Sequence, residues 1–195
     1  MLTGRDLRIV ESIRRFGALD TKQITEMHFV ELKPNSAAVK ARECMRRIRK
    51  EKDLGIQYEK SMYSGRLVYY TKKAQLRHKR LVADFYLRLL RGPGRVLEFE
   101  TEYTLGGSCR ADAFAAYEVK ERVRLFCLEV HISNNKLDLS KYEKACLSPE
   151  WIYPAMPTIV IVSNWNHKLK KLQGGLKAMR LGIDYEGWEK ALELK

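Results

Sequence analysis

Residues 36–71 read SAAVKARECMRRIRKEKDLGIQYEKSMYSGRLVYYT. Ala41, Cys44, Met45 and Ile48 recur at i, i+3, i+4 and i+7. That spacing predicts an amphipathic helix over residues 37–52 with those four on its buried stripe. Ser36, after the breakers Pro34 and Asn35, is its expected cap. At about 100° per residue the opposite face carries Ser36, Val39, Glu43, Arg46, Arg47 and Lys50, flanked by Lys40, Arg42 and Arg49. Downstream, Ile56–Tyr63 and Arg66–Thr71 read as two strands around the turn pair Ser64-Gly65.

Upstream, Leu7, Val10 and Ile13 share a stripe, with Ile9 and Phe16 beside it. They predict a helix over residues 3–16, with Thr3 as N-cap and Gly17 as its end. Asp20 caps a second helix through TKQITEMHF, in which His28 is a helix-face residue. Three short helices followed by a two-stranded hairpin are the order of a winged helix-turn-helix, whose third helix enters the major groove while the hairpin tip nears the backbone. The fold class expected is therefore α+β: an N-terminal winged helix-turn-helix, followed by the mixed-sheet domain argued below. The expected DNA-binding residues are Ser36, Lys40, Arg42, Arg46, Arg47 and Lys50 on the helix, and Lys60, Tyr63 and Arg66 near the tip.

Charge points the same way. The 195 residues carry a formal net charge of +13. Residues 1–94 hold 22 Lys and Arg against 10 Asp and Glu, and residues 95–195 hold 15 against 14. A basic surface confined to one half fits a polyanionic partner, double-stranded DNA above all. A second copy of the chain, in a homodimer, is the other partner considered, and no membrane is expected. The composition, 45% hydrophobic and 31% charged, is that of a globular chain. The N-terminus MLTGRDLRIV, charged from Arg5 onward, lacks the apolar region of a secretory signal, and no apolar run approaches the ~18 residues of a membrane span. Four scattered cysteines without a C-x-x-C pair argue against a zinc ribbon and fit a reducing, cytoplasmic setting.

A long helix over residues 72–91 leads to Gly92-Pro93-Gly94, the expected domain boundary, giving units 1–91 and 95–195. The second half predicts strands at 95–103, 109–118 and 123–131, a helix at 137–146 and a central buried strand at 158–163. A basic helix over 166–180, with Gly174-Gly175 as a point where it can be interrupted, and a helical tail over 184–194 follow. Strand, strand, strand, helix, strand resembles the core order of the restriction-endonuclease-like, or PD-(D/E)XK, superfamily. Arg110-Ala111-Asp112 and Leu128-Glu129-Val130-His131 resemble its motif.

That resemblance implies Asp112 and Glu129 as metal ligands and Asp112, Glu129 and His131 as catalytic residues. Mg²⁺ would be the ion, and two carboxylates at neighbouring strand ends suit it. His131 stands where the superfamily has lysine, which argues against cleavage. Lys136 or Lys141 is the expected substitute, and Glu98, Glu100 or Glu102 a further ligand.

Over about residues 3–163 the chain also resembles the replication-relaxation family of plasmids and phages. LTGRDLRIVESI and RLVYYTKKA match its winged domain, RADAF and FCLEVHIS its nuclease-like domain. The resemblance implies a role in replication or relaxation of mobile-element DNA, and the leading reading is a non-catalytic DNA-binding protein of a mobile element, acting in replication or transcription control. The rival readings are a Mg²⁺-dependent DNA nuclease and a phage-encoded inhibitor that binds a host nucleic-acid machine.

Overall fold

The computed structural model describes every residue except 108, 134, 136, 166–168, 170–171 and 194–195. It is a mixed α+β protein whose larger sheet is mixed. The chain divides into two compact units, Met1–Leu87 and Arg88–Lys195.

The first unit begins with α1 (Gly4–Phe16). Thr3 donates from its N–H and its hydroxyl to the Asp6 carboxylate, at 2.8 and 2.9 Å, and Asp6 N–H donates back to Thr3 Oγ1. This reciprocal cap satisfies donors that the first helical turn leaves orphaned. Gly17, at φ 73°, ends the helix in a conformation that costs a Cβ-bearing residue energy. Ile9, Val10, Ile13 and Phe16 face inward, whereas Leu7 is 48% exposed, so the buried stripe is turned by one residue from the expected one.

Strand β1 (Ala18–Asp20) follows, then α2 (Thr21–His28), capped by Asp20 and Gln23 in the same reciprocal way. Gln23 Nε2 also donates to the Arg80 carbonyl and to Asp84, both at 2.7 Å, and Arg80 pairs with Asp20.

The third helix, α3 (Pro34–Ile48), starts earlier than the sequence suggests. Lys33, not Ser36, is at the N-cap, because Pro34 sits at the first helical position, where its missing N–H costs nothing. Ala41, Cys44, Met45 and Ile48 are buried as expected.

Strands β2 (Gln57–Lys60) and β3 (Leu67–Tyr70) are antiparallel, and β1 pairs with the other edge of β3. Both strands are shorter than expected. Gly65 N–H donates to the Ser61 carbonyl and Ser61 N–H to the Arg66 carbonyl, so Met62–Gly65 is a four-residue loop. The long helix α4 is Leu76–Arg91. Gln75, at φ 51°, breaks the helical path, which leaves Lys72 and Lys73 outside it.

In the second unit, β4 (Arg95–Thr101), β7 (Ala113–Val119) and β8 (Arg122–His131) form an antiparallel meander. Between β4 and β7, β5 (Thr104–Leu105) and β6 (Cys109–Arg110) pair as a separate ribbon. Helix α5 (Ser140–Cys146) leads to β9 (Thr158–Ser163), which is parallel to β8. Then β10 (Lys177–Leu181) adds in parallel to β9. Among the described residues the sheet order is β10-β9-β8-β7-β4, with β9 buried between two parallel neighbours. Phe114, Cys127, Ile159 and Ile161 of the sheet and Tyr142 of α5 form the core between them.

Two expectations fail here. Residues 177–180 are strand, not helix: Gly174 and Gly175 both take positive φ, which ends helical propagation, and the following residues extend along β9. The rest of that expected helix falls in part on residues 166–168, 170 and 171, outside the described residues. In the tail, α6 (Lys190–Glu193) is short and is reached through turns from Tyr185 onward, although Trp188 and Ala191 pack inward as expected.

Gly92-Pro93-Gly94 is built into the second unit. Gly94 N–H donates to the Tyr117 hydroxyl at 2.6 Å, and a Cβ on Gly94 would collide with the Glu118 carbonyl. Gly94→Ala is therefore expected to destabilise this unit by about 1–3 kcal/mol.

The β7–β8 turn offers a contrasting case. Lys120 (φ 49°) and Glu121 (φ 60°) occupy left-handed positions that suit Asn and Gly. Lys120→Asn with Glu121→Gly is expected to raise stability by about 1 kcal/mol. Urea unfolding followed by tryptophan fluorescence checks both predictions, since Trp151, Trp165 and Trp188 all lie in the second unit.

Candidate functional site

Two polar constellations stand out, one in each unit. The first is cationic. Residues 1–87 hold 20 Lys and Arg against 10 Asp and Glu. On α3 and the turn after it, Arg42, Arg46 and Lys50 are spaced four apart, and all three are exposed. No ion pair among the described residues engages Arg46 or Lys50. Ser36 is exposed on the first turn, and Lys40 pairs with Glu43 at 2.9 Å.

Arg47 has a partner within its own unit. Its guanidinium makes a bidentate pair with Asp6, Nε at 2.8 Å and Nη2 at 2.9 Å, and Nη2 also reaches Cys44 Sγ at 3.1 Å. Asp6 is fully buried. Burial by itself would raise the Asp6 pKa, but the bonds from Arg47, Thr3 and Cys44 hold it well below the usual carboxylate range. Arg47 thus ties α3 to α1, with 38% of its side chain left in solvent. The helical wheel misses this because Arg47 lies on the edge between the two faces, where a long side chain reaches back.

The hairpin adjoins the end of α3. The Arg49 guanidinium lies over the Tyr58 ring, 3.6 Å from its centroid, and bonds to the Tyr58 hydroxyl. Lys60 is exposed, Tyr63 is 79% exposed, and Arg66 stands 3.8 Å from Asp20 with half its side chain in solvent. The sequence treats Arg49 as a flank and Tyr58 as a strand residue. A cation followed nine positions later by an exposed aromatic across a turn was the available signal. Long cations on one helix and an adjoining hairpin pair with phosphate oxygens, and arginine also pairs with guanine edges.

The second constellation is the carboxylate site. Asp112 sits at the junction between β6 and β7, where the chain leaves one sheet for another. Its Oδ2 accepts from Val130 N–H at 2.6 Å, and its own N–H donates to the Leu128 carbonyl. Glu129, on β8, has both oxygens engaged: Lys141 Nζ lies 3.0 Å from Oε1 and 2.8 Å from Oε2. The Tyr142 hydroxyl donates to Oε2 at 2.5 Å. Tyr142 is fully buried, and burial together with the Glu129 charge pushes its hydroxyl far above its ordinary pKa. His131 Nε2 lies 2.7 Å from the Asn135 carbonyl, so that nitrogen carries the proton and donates.

Of the expected substitutes for the missing lysine, Lys141 reaches Glu129, and Lys136 lies outside the described residues. Glu98 accepts from Tyr153, whereas Glu100 and Glu102 are exposed.

These residues do not fit a divalent ion as they stand. The Lys141 ammonium already lies against both oxygens of Glu129, and a backbone N–H takes an oxygen of Asp112. Among the described residues no three His, Cys, Asp or Glu side chains are grouped to hold a metal ion. The thiols are no closer to reactive: all four cysteines are free and buried, and burial pushes Cys109 up to about 11 and Cys146 to about 12. What the arrangement does is lock α5 onto β8 through a charge-assisted bond. Tyr142→Phe is expected to cost about 1–3 kcal/mol, read by tryptophan fluorescence in urea.

No protein-family model matches this chain, and no curated protein and no solved structure matches it. Among the described residues no helix is long and apolar enough to cross a membrane.

Proposed function

We propose that this chain is a DNA-binding protein whose first unit is a winged helix-turn-helix and whose second is a restriction-endonuclease-like domain without cleavage activity. The observation that carries this reading is the exposed cation row Arg42, Arg46 and Lys50, with the Lys60–Arg66 hairpin adjoining its end. Such a surface gains from counterion release on duplex DNA. The helix–helix–hairpin order supports the winged reading, with α3 in the major groove. A role in replication or transcription control of a mobile element is the biological setting that the family resemblance implies.

The meander β4-β7-β8 with α5 crossing to the parallel β9 supports the nuclease-like reading of the second unit, and so does the position of Asp112 immediately before β7, which pairs with the β8 strand that carries Glu129. His131, standing where the superfamily has lysine, supports the absence of cleavage, whereas the Lys141 ammonium at Glu129 is the substitute that the nuclease reading needs. A metal-dependent nuclease is the second reading, favoured by that same pair of carboxylates.

Incubating supercoiled plasmid with the protein and Mg²⁺ or Mn²⁺ separates the two. The expected result is retarded plasmid that stays supercoiled after the protein is stripped off. Nicking that disappears in Asp112→Asn with Glu129→Gln would establish the nuclease, and unretarded plasmid at low salt would refute DNA binding.

A further inference from the structure

We propose that Met62 and Tyr63, at the tip of the β2–β3 hairpin, form a wedge that enters a base-pair step from the minor groove and kinks duplex DNA. The inference rests on the DNA-binding reading and adds to it a mode of engagement.

Met62 is 99% exposed and Tyr63 79% exposed, so the most protruding residues of the hairpin are apolar. Neither contributes to the core of its unit. The loop that presents them is held at its base. Ser61 N–H donates to the Arg66 carbonyl at 2.8 Å, Gly65 N–H to the Ser61 carbonyl at 2.9 Å, and Ser64 N–H to Ser61 Oγ at 3.3 Å. Gly65 takes φ 65° with open space around it, which lets the chain turn back after Tyr63. The Arg77 guanidinium lies 4.8 Å from the Tyr63 ring centroid and supports the ring from one side.

The surroundings select the occupant. Residues 60–66, KSMYSGR, contain no acid and carry a cation at each end. An apolar tip between two cations matches a groove floored by base edges and walled by phosphates. Methionine is among the side chains that unstack base steps from the minor groove, and its unbranched, flexible thioether suits a narrow slot. Tyr63 behind it offers a flat face to the exposed base and a hydroxyl to the backbone. The unstacking cost is offset as the bent duplex meets more of the cationic surface.

The test uses the full-length protein and a mixed-sequence duplex of about 30 base pairs with a donor and an acceptor dye at its two ends. Anisotropy of the same duplex reports binding, and energy transfer at saturation reports bending. Wild type is expected to bind and to raise transfer. Met62→Ser, a change confined to an exposed loop residue outside the expected phosphate-contacting set, is expected to bind within about tenfold of wild type and to lower transfer to near the free-duplex value. Wild-type binding without bending would overturn the wedge and leave the DNA-binding reading standing. So would a variant that bends DNA like wild type, or one whose affinity falls by much more than tenfold. Absence of wild-type binding would remove both readings. Tip-dependent partitioning into anionic phosphatidylserine vesicles, with DNA left straight, would assign the pair to a membrane surface and overturn the proposal.

Discussion

Asp6→Ala is expected to destabilise the first unit by about 2–4 kcal/mol, through loss of a helix cap and of buried, charge-assisted hydrogen bonds. The carboxylate is the hub between Thr3 at the start of α1 and Arg47 on α3. Arg47→Ala should lower the melting temperature as well, whereas Arg46→Ala, one position away and exposed, should leave it unchanged. Far-UV circular dichroism reports the loss, and tryptophan fluorescence, which arises in the second unit, supplies the control.

The pH dependence follows from the same group. Its folded pKa is depressed, so its stabilisation is present above the ordinary carboxylate pKa, near 4, and is lost as pH falls below it. His28 acts in a different window. Burial, with repulsion from Arg8 and Arg5, pushes it down to about 4 from 6.5, while its ring bonds Ser12. The unfolded chain binds that proton first, so stability falls as pH drops from about 6.5 to about 4. His28→Gln should flatten the upper window and Asp6→Asn the lower one.

Arg42→Ala, Arg46→Ala and Lys50→Ala together are expected to weaken duplex binding by about 100-fold at moderate salt, while the melting temperature holds. The log–log salt dependence should become shallower by about 3 if all three meet phosphates, and less if one of them reads a base. Arg47 is left out of the set because its loss would confound affinity with folding. A triple variant that binds like wild type would move the interface away from α3.

The buried stripe of α3, the caps of α1 and α2, and the apolar β9 were legible because each rests on local periodicity or capping chemistry. What escaped depended on partners distant in sequence. Strand β1, three residues long, exists because β3 offers it an edge, and three residues carry no periodicity. Arg47 reads as a surface cation until Asp6, 41 positions earlier, is placed beside it. At the carboxylate site, strand parity put Glu129 toward one face, and Lys141 was one of two candidates for the missing lysine. That its ammonium covers both oxygens of Glu129 is a product of how α5 docks, which no spacing encodes. At β10 the break at Gly174-Gly175 was legible, but that the residues after it extend as a strand depends on the edge that β9 offers them.

Anisotropy of a labelled duplex, titrated with the full-length protein at a series of salt concentrations, tests the central claim most directly. With Arg42, Arg46, Lys50, Lys60 and Arg66 each displacing a counterion, log K should fall against log salt with a slope of about −4 to −5. A slope near zero, or no binding at low salt, would contradict it.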